Sequence, residues 1–274
     1  MNIKQSIFIS ILLVQLSNVH ACINTYAFEL ESKHISLEEA QSLILEMKRM
    51  KTPQELNDYG VLLIFAKRYN DAIQVFEQLE KSQPRQAKTA ANLGTAYELK
   101  GDMSKAKFWI AEGIKREPNI HEGSEWIHLK ILDAQLAQQK NKKWIEENDL
   151  LGLDFGHDNQ PKPKIKKIVV NGQIYDLETI FKHSSTQMEQ RLQFIDKDPI
   201  TAQVLFNMAN IDASLTISGD VEEVWSMYDV AERSGYSDKA FLERRRAYIY
   251  ESKWYAFKSQ VVWIFREIKQ LFVA

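Results

Sequence analysis

From residue 53 the apolar positions follow a helical period, and the pattern of residues 53–84 recurs 34 residues later, at 87–118. Setting Gly60 over Gly94 also sets Leu63 over Tyr97, Ala72 over Ala106, Phe76 over Ile110, Leu79 over Gly113 and Pro84 over Pro118. A repeat of this length predicts helix pairs, each burying its apolar face against the next pair. Gly60 and Gly94 let the first helix of a pair approach its neighbour closely, and Ala72 and Ala106 do the same from the second helix. Phe76 and Tyr97 fill the wedge between helices, while Pro84 and Pro118 end each unit because proline lacks a backbone donor and fixes φ. Turns are expected at Asn70-Asp71 in the first unit and at Gly101-Asp102 in the second, with Asp102 or Ser104 as cap.

The flanking pattern supplies further elements. Ser36 and Glu39 form a capping-box pattern that predicts a helix to about Lys51, with Leu37, Ala40, Leu43, Ile44 and Met47 on one face. Thr52-Pro53 opens the first repeat. Trp126, Leu129, Leu132 and Leu136 predict a long helix from Glu122 to Gln139. Gly152, Gly156, Asp158, Asn159, Pro161 and Pro163 break the pattern and mark the main boundary. Residues 165–170 and 173–177 flank Asn171-Gly172 and predict a β-hairpin, since this dipeptide suits positive φ at both central positions. A helix from about Leu177 to Ile195 should turn Ile180, Phe181, Met188 and Leu192 inward, and Asp198-Pro199 should start the next. Placing Gly219-Asp220 over Gly101-Asp102 brings Val224, Tyr228 and Ala231 onto Ala106, Ile110 and Gly113, with Leu215 at the Tyr97 position and Asp212 replacing the close-packing glycine. Trp254, Phe257, Val261, Phe265, Ile268 and Phe272 form a C-terminal stripe, in which Lys258, Arg266, Glu267 and Lys269 argue against a membrane span.

On these residues, 53–86 and 87–120 resemble two tetratricopeptide repeats. The unit 121–154 keeps Ile127 and Ile131 but puts His128 at the small-residue position, so it is a degenerate third. The two repeats followed by Gly123-Ser124-Glu125-Trp126-Ile127-His128 are similar to a group of exported bacterial tetratricopeptide proteins without an assigned biochemical role. Pattern and resemblance together imply an all-α fold, a tetratricopeptide-like helical-hairpin solenoid with one small β-hairpin insertion. The expected organisation is a signal at 1–21, a polar lead at 22–35, the solenoid at 36–154, a linker and hairpin at 155–176, and a C-terminal helical domain at 177–274 holding a degenerate unit at 205–238.

The 274 residues, 45% of them hydrophobic, suffice for a buried core, and a net charge of −2 argues against phosphate neutralisation on nucleic acid. Lys4, the apolar run 7–16 and Val19-His20-Ala21 read as a secretory signal cut after Ala21. Cys22, the sole cysteine, then begins the mature chain, either acylated as in a lipoprotein or as a plain terminal thiol.

His121 and His128 would stand about 10 Å apart along one helix, too far for one ion, and with neither a His-Glu-x-x-His pattern nor paired cysteines no metal or cofactor is expected. Ser184-Ser185-Thr186 beside His183 lacks a glycine elbow and reads as a polar helix face. Lys162, Lys164, Lys166 and Lys167 read as a solvated linker and strand edge. In a solenoid the first helix of each unit lines the concave side, which here means Asn57, Val61 and Ile64, then Lys88, Asn92 and Thr95, then Glu122, Glu125, Trp126 and Leu129. Lys88 and Asn92 match the tetratricopeptide domains that clamp a terminal carboxylate, whereas Val61, Glu122 and Trp126 do not; Trp126 suits either core or ligand. The leading expectation is a non-enzymatic protein- or peptide-binding scaffold of the bacterial envelope, with no nucleic-acid partner and membrane contact only through Cys22. The alternatives are an envelope enzyme using His157, Asp158 or His183, and a structural subunit that oligomerises through the C-terminal stripe.

Overall fold

A computed structural model of the chain describes residue 23 and residues 35–47 and 52–271. The expected signal at 1–21, Cys22, Lys51 and Phe272 lie outside the described residues, as do the side chains of Trp254 and Ile268. The described residues form twelve α-helices and one two-stranded sheet, a mostly helical molecule.

Helix starts follow local capping chemistry. Ser36 Oγ accepts from the Glu39 N–H before α1 (Leu37–Glu46), and Thr52 with Glu55 completes both halves of a capping box before α2 (Pro53–Phe65). Then α3 (Tyr69–Ser82), α4 (Ala87–Lys100) and α5 (Met103–Arg116) each pack on the helix before. A Cβ built on Gly60 would lie 2.6 Å from the Phe76 ring, and one on Gly94 would lie 2.6 Å from the Ile110 side chain. The two contacts are therefore equivalent across the 34-residue offset, and both need glycine for the close approach. Tyr97 is buried with its hydroxyl donating to Glu77 at 2.6 Å.

The first turn falls earlier than the sequence suggested. Lys67 takes φ 58° at the place where Gly101 takes φ 96° in the next pair, and Asn70 and Asp71 already belong to α3. Lysine hid the turn because it occupies the left-handed position that glycine marks elsewhere. A second correction concerns the helix expected from Glu122. His121 (φ 50°) and Glu122 (φ 56°) are left-handed within a 3₁₀ turn, Ile120–Gly123, so α6 (Glu125–Lys140) carries His128 but not His121.

After the short α7 (Trp144–Glu147), β1 (Lys167–Val170) pairs antiparallel with β2 (Gln173–Asp176), Val169 opposite Ile174 and Ile168 opposite Tyr175. Asn171 and Gly172 have φ of 51° and 81°, as their turn requires. β1 begins at Lys167 instead of Ile165, and β2 ends one residue early because Asp176 caps the Thr179 N–H and Leu177 already opens α8 (Leu177–Arg191). That helix stops at Arg191, which leaves Leu192 exposed instead of inward. The chain continues through α9 (Pro199–Leu215), α10 (Val221–Arg233), α11 (Lys239–Glu251) and α12 (Lys253–Leu271). On α12 Phe257 and Phe265 are exposed while Tyr255 is buried, and no helix among the described residues is long and apolar enough to cross a membrane.

The buried apolar side chains form two clusters that meet at α6. Leu132 joins one, with Val61, Leu93 and Ile110; Trp126, Ile127 and Ile131 join the other, with Ile180, Val204 and Tyr228. The first also contains Ile23 and Ile35, so two residues of the expected polar lead are core residues.

Candidate functional site

Helix α8 reads as a polar face in sequence, yet Ser184, Thr186, Gln187, Gln190 and Arg191 along it are buried. Their neighbours explain why. Arg191 Nη1 donates to Glu98 of α4 at 2.6 Å, Gln187 Nε2 donates to Ser124 Oγ at 2.9 Å, and Lys182 pairs with Glu122 at 2.7 Å. The helix thus lies against the side of α4 and α6 where an open groove was expected.

The expected groove line is placed accordingly. Asn57, Val61, Ile64, Asn92, Thr95, Glu125 and Trp126 are buried, and Lys88, Glu122 and Leu129 are half-buried. Asn92 Nδ2 donates to Asn57 Oδ1 at 3.0 Å, which joins the first two units of the line. Trp126 proves to be a packed residue: its ring stacks on Tyr175 of the hairpin at 4.7 Å, and its Nε1 donates to His183 Nδ1 at 2.8 Å. Burial, then Lys182, lowers the pKa of His183, which keeps the imidazole neutral and able to accept that bond.

Glu98 is the centre of a buried charged chain that the sequence did not reveal. Its Oε1 accepts from Arg191 and from Gln135 Nε2 at 3.1 Å, and its Oε2 meets His128 Nε2 at 2.7 Å. His128 Nδ1 lies 3.3 Å from Glu125 Oε2, and the other Glu125 oxygen meets His121 Nδ1. Arg191 also reaches Thr201 Oγ1 at 2.7 Å and Asp198 at 3.3 Å, the residue that caps α9.

Burial works against every charge here, and the partners decide the outcome. For Glu98, desolvation raises the pKa, but Arg191 and His128 hold it far below the carboxylate range. For His128, desolvation lowers the pKa, but Glu98 and Glu125 bring it up to about 9. For Glu125, desolvation is outweighed by His121 and His128, which lower it to about 2. At neutral pH the chain therefore holds two carboxylates against an imidazolium and a guanidinium, and it locks α8 and α9 onto α4 and α6.

Beside the Glu98–Arg191 pair lies a narrow cleft with about 30 Å³ of room, the space of about one water. Leu99, Ile131 and Phe194 supply apolar wall, Thr95, Gln187 and Gln190 supply polar edge, and Ile23 lines it from the far end of the sequence. The groups considered for catalysis face different neighbours: His157 lies near the Phe241 ring, Asp158 pairs with Lys162 at 3.7 Å, and His183 is bonded to Trp126. No His, Cys, Asp and Glu group arranged to hold a metal occurs among the described residues. Neither a protein-family model nor a curated protein matches the chain.

Proposed function

We propose that the protein is a non-enzymatic binding module of the bacterial envelope, a tetratricopeptide-like solenoid whose concave side, narrowed by α8 to a cleft, receives a peptide or protein segment. The observation that carries this reading is the apolar surface of Leu99, Ile131 and Phe194 at the narrow recess between α4, α6 and α8, against which a partner segment would dock. The equivalent glycine contacts at Phe76 and Ile110 support the repeat architecture. The buried histidines and carboxylates support a structural role, since they are engaged with one another. Residues 1–22 support export, with Cys22 as the point of any lipid anchor.

The test is affinity capture from the envelope fraction with the native chain and with Leu99→Arg. Leu99 is half-buried at the cleft wall, so the arginine should block the recess and leave the fold intact. Loss of the captured partner with an unchanged thermal midpoint is expected. Equal capture by both chains, or a turnover activity abolished by substitution of His157 or His183, would overturn the reading.

A further inference from the structure

A helix that packs on one side is expected to be polar on the other, and α12 departs from this. Its inward side is fixed by Tyr255 and Ser259, both buried, and by Val262, whose Cγ1 stands 2.7 Å from where a Cβ on Gly219 would be. At about 100° per residue, Phe257, Val261, Ile264 and Phe265 fall on the opposite side. Phe257 is 56% exposed, Ile264 47% and Phe265 68%, and Val261 is half-buried. Trp263, on the flank, is exposed as well. The described core thus leaves this row in contact with water, and an apolar row of that kind marks a surface that binds something outside the fold.

The charge beside the row selects what binds. The stretch 253–271 carries Lys253, Lys258, Arg266 and Lys269 against Glu267 alone, four cations and one anion, in a chain whose net charge is −2. Lys258 precedes Phe265 by seven residues, so it stands on the same line of the helix, at the edge of the row. A second copy of the chain fits this poorly, because a two-fold contact brings a patch against itself and would set the excess cations of one helix against those of the other. An anionic lipid surface meets both features at once. Its acyl boundary takes the aromatic and aliphatic row, and its phosphate headgroups take the cations. With five charged residues in nineteen the helix cannot cross a bilayer, and it would lie in the plane of the surface.

We propose that α12 is an in-plane membrane-docking helix that seats Phe257, Val261, Ile264 and Phe265 at the acyl boundary of an anionic lipid surface. The contact is separate from any lipid anchor at Cys22 and does not involve the cleft. Failure of envelope capture to respond to Leu99→Arg therefore leaves it standing.

The test uses the full chain carrying Cys22→Ser, which removes any acyl chain, with Ile264→Cys as the single thiol for an environment-sensitive dye. A parallel chain carries the dye at Phe108→Cys on α5. Titration with vesicles of equimolar phosphatidylglycerol and phosphatidylcholine should shift the emission from position 264 to the blue and leave that from position 108 unchanged. Attachment through the apolar run 7–16 would leave the dye at position 264 in water, so the readout belongs to α12. Affinity about tenfold or more weaker for phosphatidylcholine alone is expected, and Lys258→Glu should weaken binding to the mixed vesicles by about tenfold at unchanged helical circular dichroism, with Lys258→Gln in its place if that signal falls. No shift at position 264, equal shifts at both positions, or equal affinity for the two kinds of vesicle would overturn the proposal. A shift at position 264 that grows with protein concentration without vesicles, together with a dimer mass in sedimentation, would overturn it in favour of contact between copies.

Discussion

Glycine 94 has no room for a side chain: its missing Cβ would stand 2.6 Å from Ile110, with backbone nitrogen at 3.1 Å. Gly94→Leu should therefore destabilise the fold by roughly 2–4 kcal/mol through overpacking. Adding Ile110→Ala should return part of the loss, and urea unfolding of the single and double variants measures it. At Glu98 the effect is electrostatic. Glu98→Gln leaves Arg191 buried with less compensation, and roughly 3–5 kcal/mol of destabilisation is expected for breaking such a pair. His128 gives the pH dependence its sign. Its folded pKa of about 9 lies above the ordinary value of 6.5, so its contribution is complete below pH 6.5 and is lost as pH rises through about 9. Glu125, lowered to about 2, contributes above its ordinary value of 4.5 and loses this as pH falls through about 2. Urea midpoints should therefore fall between neutral pH and pH 10, and His128→Gln should flatten that fall. A native profile as flat as the variant's would remove the charged chain from the account.

At the scale of elements, what the sequence discloses is what is encoded locally. The capping box at Thr52, the Gly101-Asp102 turn, the Asn171-Gly172 hairpin turn and the Asp176 and Asp198 caps each need only a few adjacent residues. The Lys67 turn escaped because its left-handed residue is not glycine. Lys67→Gly should relieve that conformation and change stability by no more than about 1 kcal/mol, since glycine also loosens the unfolded chain. Gly101→Lys, which introduces the strain, should lower the thermal midpoint, and a pair of melting curves checks both. The role of α8 escaped for a different reason. Its Ser184, Thr186, Gln187 and Gln190 spell a solvated face, and only partners distant in the chain make it a buried one. The Arg191–Glu98 bond joins residues 93 apart, and such a pair leaves no period or motif to read.

For the whole molecule, the consequence is that the line expected to be concave carries more of the core than of an open surface. Seven of its ten residues are buried, including Trp126 beneath the hairpin, and the accessible surface has shifted to the cleft edge at Leu99 and Phe194. Phe108 on α5, which is 58% exposed and does not line the cleft, offers a control position. Placing a photo-crosslinking amino acid at position 99 or at position 108 and irradiating intact cells therefore tests directly whether the cleft is the binding surface. A discrete adduct to one partner from position 99, absent from position 108, is the expected result. Adducts from position 108 with none from position 99 would contradict the account.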